Sequence, residues 1–220
     1  MIPQSSASSE RTLAYVALGV VYVVWGSTYV GIRAVVAHMP PFIAAAMRFL
    51  LAGLTLLAFS RATRKWRRPT REQWMNAALV GILLMGIGNG LVMWAQKSIP
   101  SGITALLVAS FPLWLALAEA LLSRGASLRG PVIAGVFVGL LGVGLIASAK
   151  GDVSFSGTHT PVAALIAVQA ATICWTIGYL KAKAINKRLP LVMASAMEMI
   201  SGGLFLLVIS ILFRKTGGGS

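Results

Sequence analysis

Acidic residues, histidine and cysteine are scarce in this chain. Its 220 residues include 5 Asp or Glu, 2 His and 1 Cys, and 11% of all residues are charged. The single cysteine, Cys174, excludes an intramolecular disulfide framework and a cysteine-only metal site. No Ser/His, Asp/Asp or His-rich constellation occurs in its apolar segments, so we predict neither an enzyme nor a bound metal or cofactor.

Apolar residues are abundant instead, at 57% of the chain. A soluble core of this size cannot use so much apolar sequence, and a disordered chain would not contain it. Runs of about 20 apolar residues match helices that cross a bilayer, so we predict an all-α integral membrane protein with seven spans. Spans 1 to 7 are predicted at 12–36, 41–60, 74–96, 102–122, 131–149, 161–180 and 190–213.

Basic residues are unevenly distributed among the predicted loops. Most follow span 2, span 4 or span 6, with six between Arg61 and Arg71 alone. Basic residues in short loops mark the cytoplasmic face, so the N-terminus is predicted to be cytoplasmic and the C-terminus outside. We interpret the net charge of +14 as a topology signal with some attraction to anionic lipid and predict no nucleic-acid partner.

The chain contains an internal repeat at a fixed offset of 150 residues. Residues 25–57 align without gaps to 175–207, which matches spans 1 and 2 to spans 6 and 7. A five-helix unit that recurs must enter the membrane from the opposite side, as in inverted-repeat transporters. We therefore predict a first repeat at 1–150, a partial second repeat at 151–213 and a linker-like tail at 214–220. Identical pairs include Trp25/Trp175, Tyr29/Tyr179, Pro40/Pro190, Met47/Met197 and Gly53/Gly203.

Several motifs resemble the EamA-type exporters of the drug/metabolite transporter superfamily. They are WGSTYVGIR (25–33), AAAMRFLLAG (44–53), NAALVGILLMGIGNG (76–90) and SIPSGITALLVASFPLW (98–114). The resemblance implies a ten-helix fold of two inverted five-helix halves around a central cavity, of which this chain resembles the first seven helices. It also implies export of amino acids or other small metabolites or drug-like compounds across the bacterial inner membrane by alternating access, in exchange for protons in several members. The alternative is a non-transporting seven-helix fragment with an interaction or scaffold role.

Aromatic residues form a stripe along span 1. Trp25, Tyr29 and Arg33 lie on one helical face, and the repeat places Trp175, Tyr179 and Lys183 on the equivalent face of span 6. An inward aromatic face stacks on a substrate while tyrosine hydroxyls orient it. We therefore predict that Trp25, Tyr29, Trp175 and Tyr179 bind substrate, the alternative being aromatics that pack helices or lie at the interface.

Arg48 and Glu198 are repeat mates and are ionisable residues inside predicted spans. Such residues are costly in a membrane and usually functional. Arg48 is predicted to attract a substrate carboxylate and Glu198 to carry a coupling proton; alternatively, each snorkels or pairs locally. Their predicted depths differ by about 10 Å.

Asn89 and Pro112 are further candidates within the spans. Asn89 lies among glycines that permit close helix approach, and it either bonds to another helix or faces the substrate cavity. Pro112 removes a helical hydrogen bond to Val108 and is predicted to kink span 4, which makes Val108 and Ser110 weaker candidates.

Two features of the remaining spans concern helix packing. Glu119, one turn from the end of span 4, is predicted to form an ordinary interfacial pair near Arg124. Four glycines of span 5 favour close helix contacts, self-association into a homodimer among them. They are Gly135, Gly139, Gly142 and Gly144.

Overall fold

The protein is a bundle of helices with no strand among the residues described. A computed structural model describes residues 5–63, 68–122, 162–185 and 190–216, with single positions and short stretches between 130 and 145. A π-helical segment, Ile82–Gly88, joins α3 to α4. The helices are α1 (Ser5–Val36), α2 (Pro41–Ala62), α3 (Arg71–Gly81), α4 (Asn89–Ala95), α5 (Ser101–Val108), α6 (Phe111–Leu122), α7 (Val162–Ile185) and α8 (Leu191–Thr216).

Six helical stretches in the described residues are long and apolar enough to cross a membrane. They match predicted spans 1 to 4, 6 and 7, which confirms the helical membrane bundle. Predicted span 5, at 131–149, falls mostly outside the described residues. The six stretches are Thr12–Val36, Pro41–Ala62, Arg71–Ala95, Ser101–Leu122, Val162–Ala184 and Leu191–Phe213.

Span 3 begins at a capping box and not at the first apolar residue. The Thr70 hydroxyl accepts the backbone N–H of Gln73 at 3.2 Å, and the Gln73 side-chain oxygen accepts the Thr70 N–H at 2.9 Å. This reciprocal pair satisfies two donors that a helix start otherwise leaves free. The helix consequently starts at Arg71, three residues before the predicted boundary at 74.

The order of contacts shows that α2 and α8 run antiparallel. Phe42 packs against Phe213 with tilted rings whose centroids are 5.7 Å apart, and Gly203 packs against Leu50 further along α2. Gly53 then packs against Ile200. As the chain advances along α2, its partners on α8 therefore move back toward the start of that helix.

The same reasoning shows that α7 runs parallel to α5 and α6. Ser110 bonds to Gln169, Phe111 contacts Trp175, and Glu119 pairs with Lys183, so both chains advance together. Leu122 at the end of α6 and Val162 at the start of α7 therefore lie at opposite ends of the bundle.

Helix α1 is attached to the bundle by only part of its length. Tyr29, Ile32 and Val36 are buried, whereas the large apolar side chains from Leu13 to Trp25 are exposed. By contrast, α7 has buried residues along most of its length, from Ala164 to Gly178. Among the described spans, α7 and the span Arg71–Ala95 are the most buried, and α1 lies at the edge of the bundle.

Glycines of predicted span 5 that the structure describes differ in their surroundings. Gly139 packs against the Leu113 side chain of α6, so its close contact lies within the chain. Gly135 and Gly142 face open space. Gly144 lies outside the described residues, and self-association stays a prediction.

Candidate substrate-binding region

Two spans are interrupted near their middle. In span 3 the π-helical segment places the Asn89 N–H against the carbonyl of Leu84, five residues back. Such π-helical turns occur frequently at functional sites. In span 4, α5 ends at Val108 and α6 starts at Phe111, because Pro112 has no amide hydrogen to donate to the Val108 carbonyl.

Trp175 of α7 joins the two interrupted spans. Its indole Nε1 donates to the Leu84 carbonyl at 2.8 Å, and its ring lies edge-on to Phe111 with centroids 6.4 Å apart. A Cβ atom at position 88 would collide with the indole, so Gly88 permits this approach. Trp175 therefore supplies a cross-helix hydrogen bond at the π-helical segment.

Asn89 forms hydrogen bonds within its own span. Its Nδ2 donates to the Leu84 carbonyl at 2.9 Å and lies 3.9 Å from the Met85 sulfur. The predicted alternative of a hydrogen bond from Asn89 to another helix is therefore wrong. The cross-helix hydrogen bond at this point comes from Trp175. A role for Asn89 in substrate binding stays a prediction.

Gln169 is a site residue that the sequence reasoning missed. Its Oε1 accepts hydrogen bonds from Ser110 Oγ and Trp114 Nε1, both at 3.0 Å, and its Nε2 lies 3.4 Å from the Leu107 carbonyl. The signal was available, because an amide in the middle of an apolar helix needs hydrogen-bond partners. Gln169 and Trp175 together connect α7 to both interruptions.

The four predicted aromatic residues do not meet in one place. Tyr29 is buried in the same core cluster against which Trp175 packs. Trp25 is exposed, although its Nε1 donates to the Tyr29 hydroxyl at 3.2 Å. Tyr179 is exposed on α7. The described residues therefore bring Tyr29 and Trp175 close to the interruptions and leave Trp25 and Tyr179 on the outside.

Arg48 and Glu198 lie at different levels of the bundle. Arg48 is exposed, with its guanidinium carbon 5.3 Å from the Phe49 ring centre. Glu198 is buried where α8 passes Gly81, at which an added Cβ would lie 2.9 Å from the Glu198 Cα. Because Leu50 is level with Gly203, the two charges are separated by about 10 Å along the helix axes. Their proposed roles stay predictions.

Two basic residues near helix ends have well-defined partners. Arg33 donates to the carbonyls of Gln96 and Ile99. Lys183 Nζ lies 3.0 Å from Glu119 Oε1 on an exposed part of both helices, which agrees with the expectation that Glu119 forms an ordinary interfacial pair. Helices α6 and α7 run parallel, so their last turns meet; Arg124 lies outside the described residues.

Comparison with known proteins identifies the family. The sequence pattern of the EamA-like transporter family matches residues 12–148. The chain belongs to the EamA-like transporter family. It is therefore a multi-pass membrane protein of a transporter family, which confirms the resemblance seen in the sequence and the prediction that it is not an enzyme.

Relatives agree with this assignment. The chain is 36% identical over 198 residues to the uncharacterized inner membrane transporter YedA of Escherichia coli K12, covering 89% of this chain and 61% of YedA. It is 24% identical to the uncharacterized transporter YvbV of Bacillus subtilis 168, covering 90% and 63%. This chain thus spans 61% of the length of YedA.

A solved crystal structure of a protein shares the fold. It superposes with a TM-score of 0.59 at 21% identity, over 90% of this chain and 66% of the other. At this identity the likeness supports the fold alone.

Proposed function

We propose that the chain forms the substrate-binding part of a secondary transporter that exports small metabolites, such as amino acids or drug-like compounds, across the bacterial plasma membrane. The observation that carries the proposal is the pair of interrupted spans joined by Trp175 and Gln169. Irregular backbone inside a membrane is tolerated where it is buried in protein or lines a cavity. Secondary transporters commonly bind substrate near the midplane, beside helices that depart from regular α-helical geometry.

The proposed mechanism is alternating access between two inverted halves. Support comes from the antiparallel arrangement of α2 and α8, which the 150-residue offset pairs. An inverted repeat requires repeat-related helices to cross the membrane in opposite directions. Since α1 precedes α2 and α7 precedes α8 through short connections, the same relation extends to Trp25 and Trp175.

The repeat also suggests how the exposed face of α1 is used. Trp175 is covered by spans 3 and 4, whereas its mate Trp25 is exposed. In a ten-helix fold, the counterparts of spans 3 and 4 in the second half would cover α1 in the same way. Trp25 and Tyr29 would then line the cavity together with Trp175.

Each candidate residue has a chemical role in this proposal. Trp25, Tyr29, Trp175 and Tyr179 supply aromatic faces and hydroxyl groups for an apolar or aromatic substrate, and Asn89 supplies an amide. Arg48 attracts a carboxylate. Glu198, buried against α3, carries the proton that is exchanged. The charge pattern supports a cytoplasmic N-terminus.

Resistance to toxic metabolite analogues tests the proposal. Cells expressing the chain in its full natural length should tolerate at least one analogue in a panel of amino-acid analogues and drugs. Trp25→Ala and Trp175→Ala should each abolish that resistance, while Trp94→Ala, at an exposed site on α4, should retain it. Stable insertion without efflux of any panel member would favour the scaffold role instead.

A further inference from the structure

Arg33 and Lys183, which the 150-residue offset pairs, contact opposite ends of the same span. Arg33 lies in the last turn of α1 and donates to the carbonyls of Gln96 and Ile99, just before α5 begins. Lys183 lies in the last turn of α7 and pairs at 3.0 Å with Glu119 near the end of α6. The span formed by α5 and α6 therefore has a repeat-related cation at each end.

The two contacts lie at opposite faces of the membrane. Ser101–Leu122 has 22 residues, which is about 30 Å of helix and matches the hydrocarbon thickness. One contact precedes the first residue of this stretch, and the other involves a residue three positions from its last. A change at one contact is thus separated from the other by almost the whole bilayer.

Arg33 is the principal polar attachment of α1 among the described residues. Its guanidinium is half-buried and binds carbonyls at the end of α4, where the helix dipole favours a cation. The apolar attachment comes from Tyr29, Ile32 and Val36 around it. Release of Arg33 would therefore loosen the end of α1 that is packed on the bundle.

The contact at the other face is more exposed. The side chains of Lys183 and Glu119 are 65% and 43% exposed, so water and salt weaken their attraction. The two cations are thus repeat mates, but their partners are not related by the offset, and the two contacts are unequal in strength.

We propose that these contacts are two latches that close opposite faces of the transporter and are released in alternation. The inference rests on the proposed alternating-access function. The Arg33 latch holds α1 against the connection between α4 and α5, and the Lys183–Glu119 latch holds α7 against α6. Both contacts are formed in this structure.

Cysteine labelling tests the latches without a substrate. In the full natural chain, Cys174→Ser removes the cysteine of this sequence, and Ile32→Cys places a reporter at a buried site beside Arg33. Adding Arg33→Gln should raise the labelling rate by a membrane-impermeant maleimide about tenfold, the effect of losing one charge-assisted hydrogen bond. Arg33→Lys should stay close to the parent. Val35→Cys, at an exposed position, is the matched reporter whose labelling should not change.

The opposite latch should act in the opposite direction. Glu119→Gln should lower labelling at Ile32→Cys by about twofold, because release of a weak exposed pair favours the state closed at Arg33. This arm keeps the test decisive if Arg33→Gln fails to fold. Unchanged labelling in folded Arg33→Gln, or increased labelling in Glu119→Gln, would overturn the proposal.

Efflux measured on the same variants separates the two proposals. Labelling that responds as described, without efflux of any compound, would support the latches and contradict the proposed export function. Efflux by the parent, with a labelling rate that does not change in Arg33→Gln or Glu119→Gln, would contradict the latches and support the export function.

Discussion

Gly53 and Gly203, repeat mates in the sequence, occupy reciprocal positions in the contact between α2 and α8. An added Cβ at Gly53 would lie 2.8 Å from Ile200 Cγ1, and one at Gly203 would lie 2.9 Å from Leu50 Cγ. Leu50 and Ile200 are themselves repeat mates. The two repeat-related glycines thus pack against two repeat-related side chains, as expected for a two-fold contact.

Larger side chains at either glycine should destabilise the bundle to a similar extent. Gly53→Leu and Gly203→Leu should each lower the free energy of unfolding by about 1–3 kcal/mol, because the helices must move apart. Thermal unfolding in detergent measures the effect. Gly31→Leu, at a position with open space around it, is the control and should change stability little. A large loss at only one of the two mates would contradict the reciprocal arrangement.

Removing the indole N–H of Trp175 should weaken the contact between α7 and the π-helical segment of span 3. Trp175→Phe leaves an aromatic ring but loses the bond to the Leu84 carbonyl. We expect a loss of about 1 kcal/mol in stability and reduced efflux. Trp94→Phe, at an exposed site, is the matched control. Wild-type efflux and stability in Trp175→Phe would show that this hydrogen bond is dispensable.

Gln169 should hold the interruption of span 4 in place. Gln169→Met keeps the side-chain length but leaves the Trp114 indole N–H without its acceptor, whereas Ser110 Oγ keeps the Leu107 carbonyl. Loss of a partly buried hydrogen bond costs about 1 kcal/mol, so the unfolding temperature should fall. Ile166→Met, at an exposed site one turn earlier on α7, should leave it almost unchanged. Equal unfolding temperatures for the two variants would argue against this role.

Glu198 should couple efflux to protons if its proposed role is correct. Glu198→Gln removes the titratable group from the contact between α3 and α8. In proteoliposomes, efflux by the variant should no longer respond to an imposed pH gradient, while exchange without a gradient continues. Glu72→Gln, at an exposed position in the first turn of α3, should keep the response. An unaltered response in Glu198→Gln would assign the proton to another residue.

The positions of the six spans that the structure describes could be predicted from the sequence because apolar length alone defines them. Capping chemistry set the start of span 3 at Thr70, and the apolar pattern did not contain that information. The interruption at Ala109–Ser110 lies beside Pro112, where the sequence placed a kink. The π-helical segment had no comparable signal, because Gly86, Gly88 and Gly90 also suit an ordinary close-packed helix.

Side-chain partners were harder to predict than spans. Trp25 and Trp175 occupy equivalent positions in the repeat, yet Trp25 is exposed and Trp175 donates a hydrogen bond to the Leu84 carbonyl. Their difference arises from neighbouring helices, which one helix's periodicity does not reveal. Glu119 similarly pairs with Lys183, 64 residues away, because α6 and α7 run parallel.

The most direct test of the inverted arrangement is the membrane side of one position just after α1 and of the first residue of α8. In the full natural chain with Cys174→Ser, single cysteines are introduced by Met39→Cys or by Leu191→Cys, both at exposed sites. A membrane-impermeant maleimide should label the first in intact cells and the second only after the membrane is opened. Labelling of both positions from the same side would contradict the account.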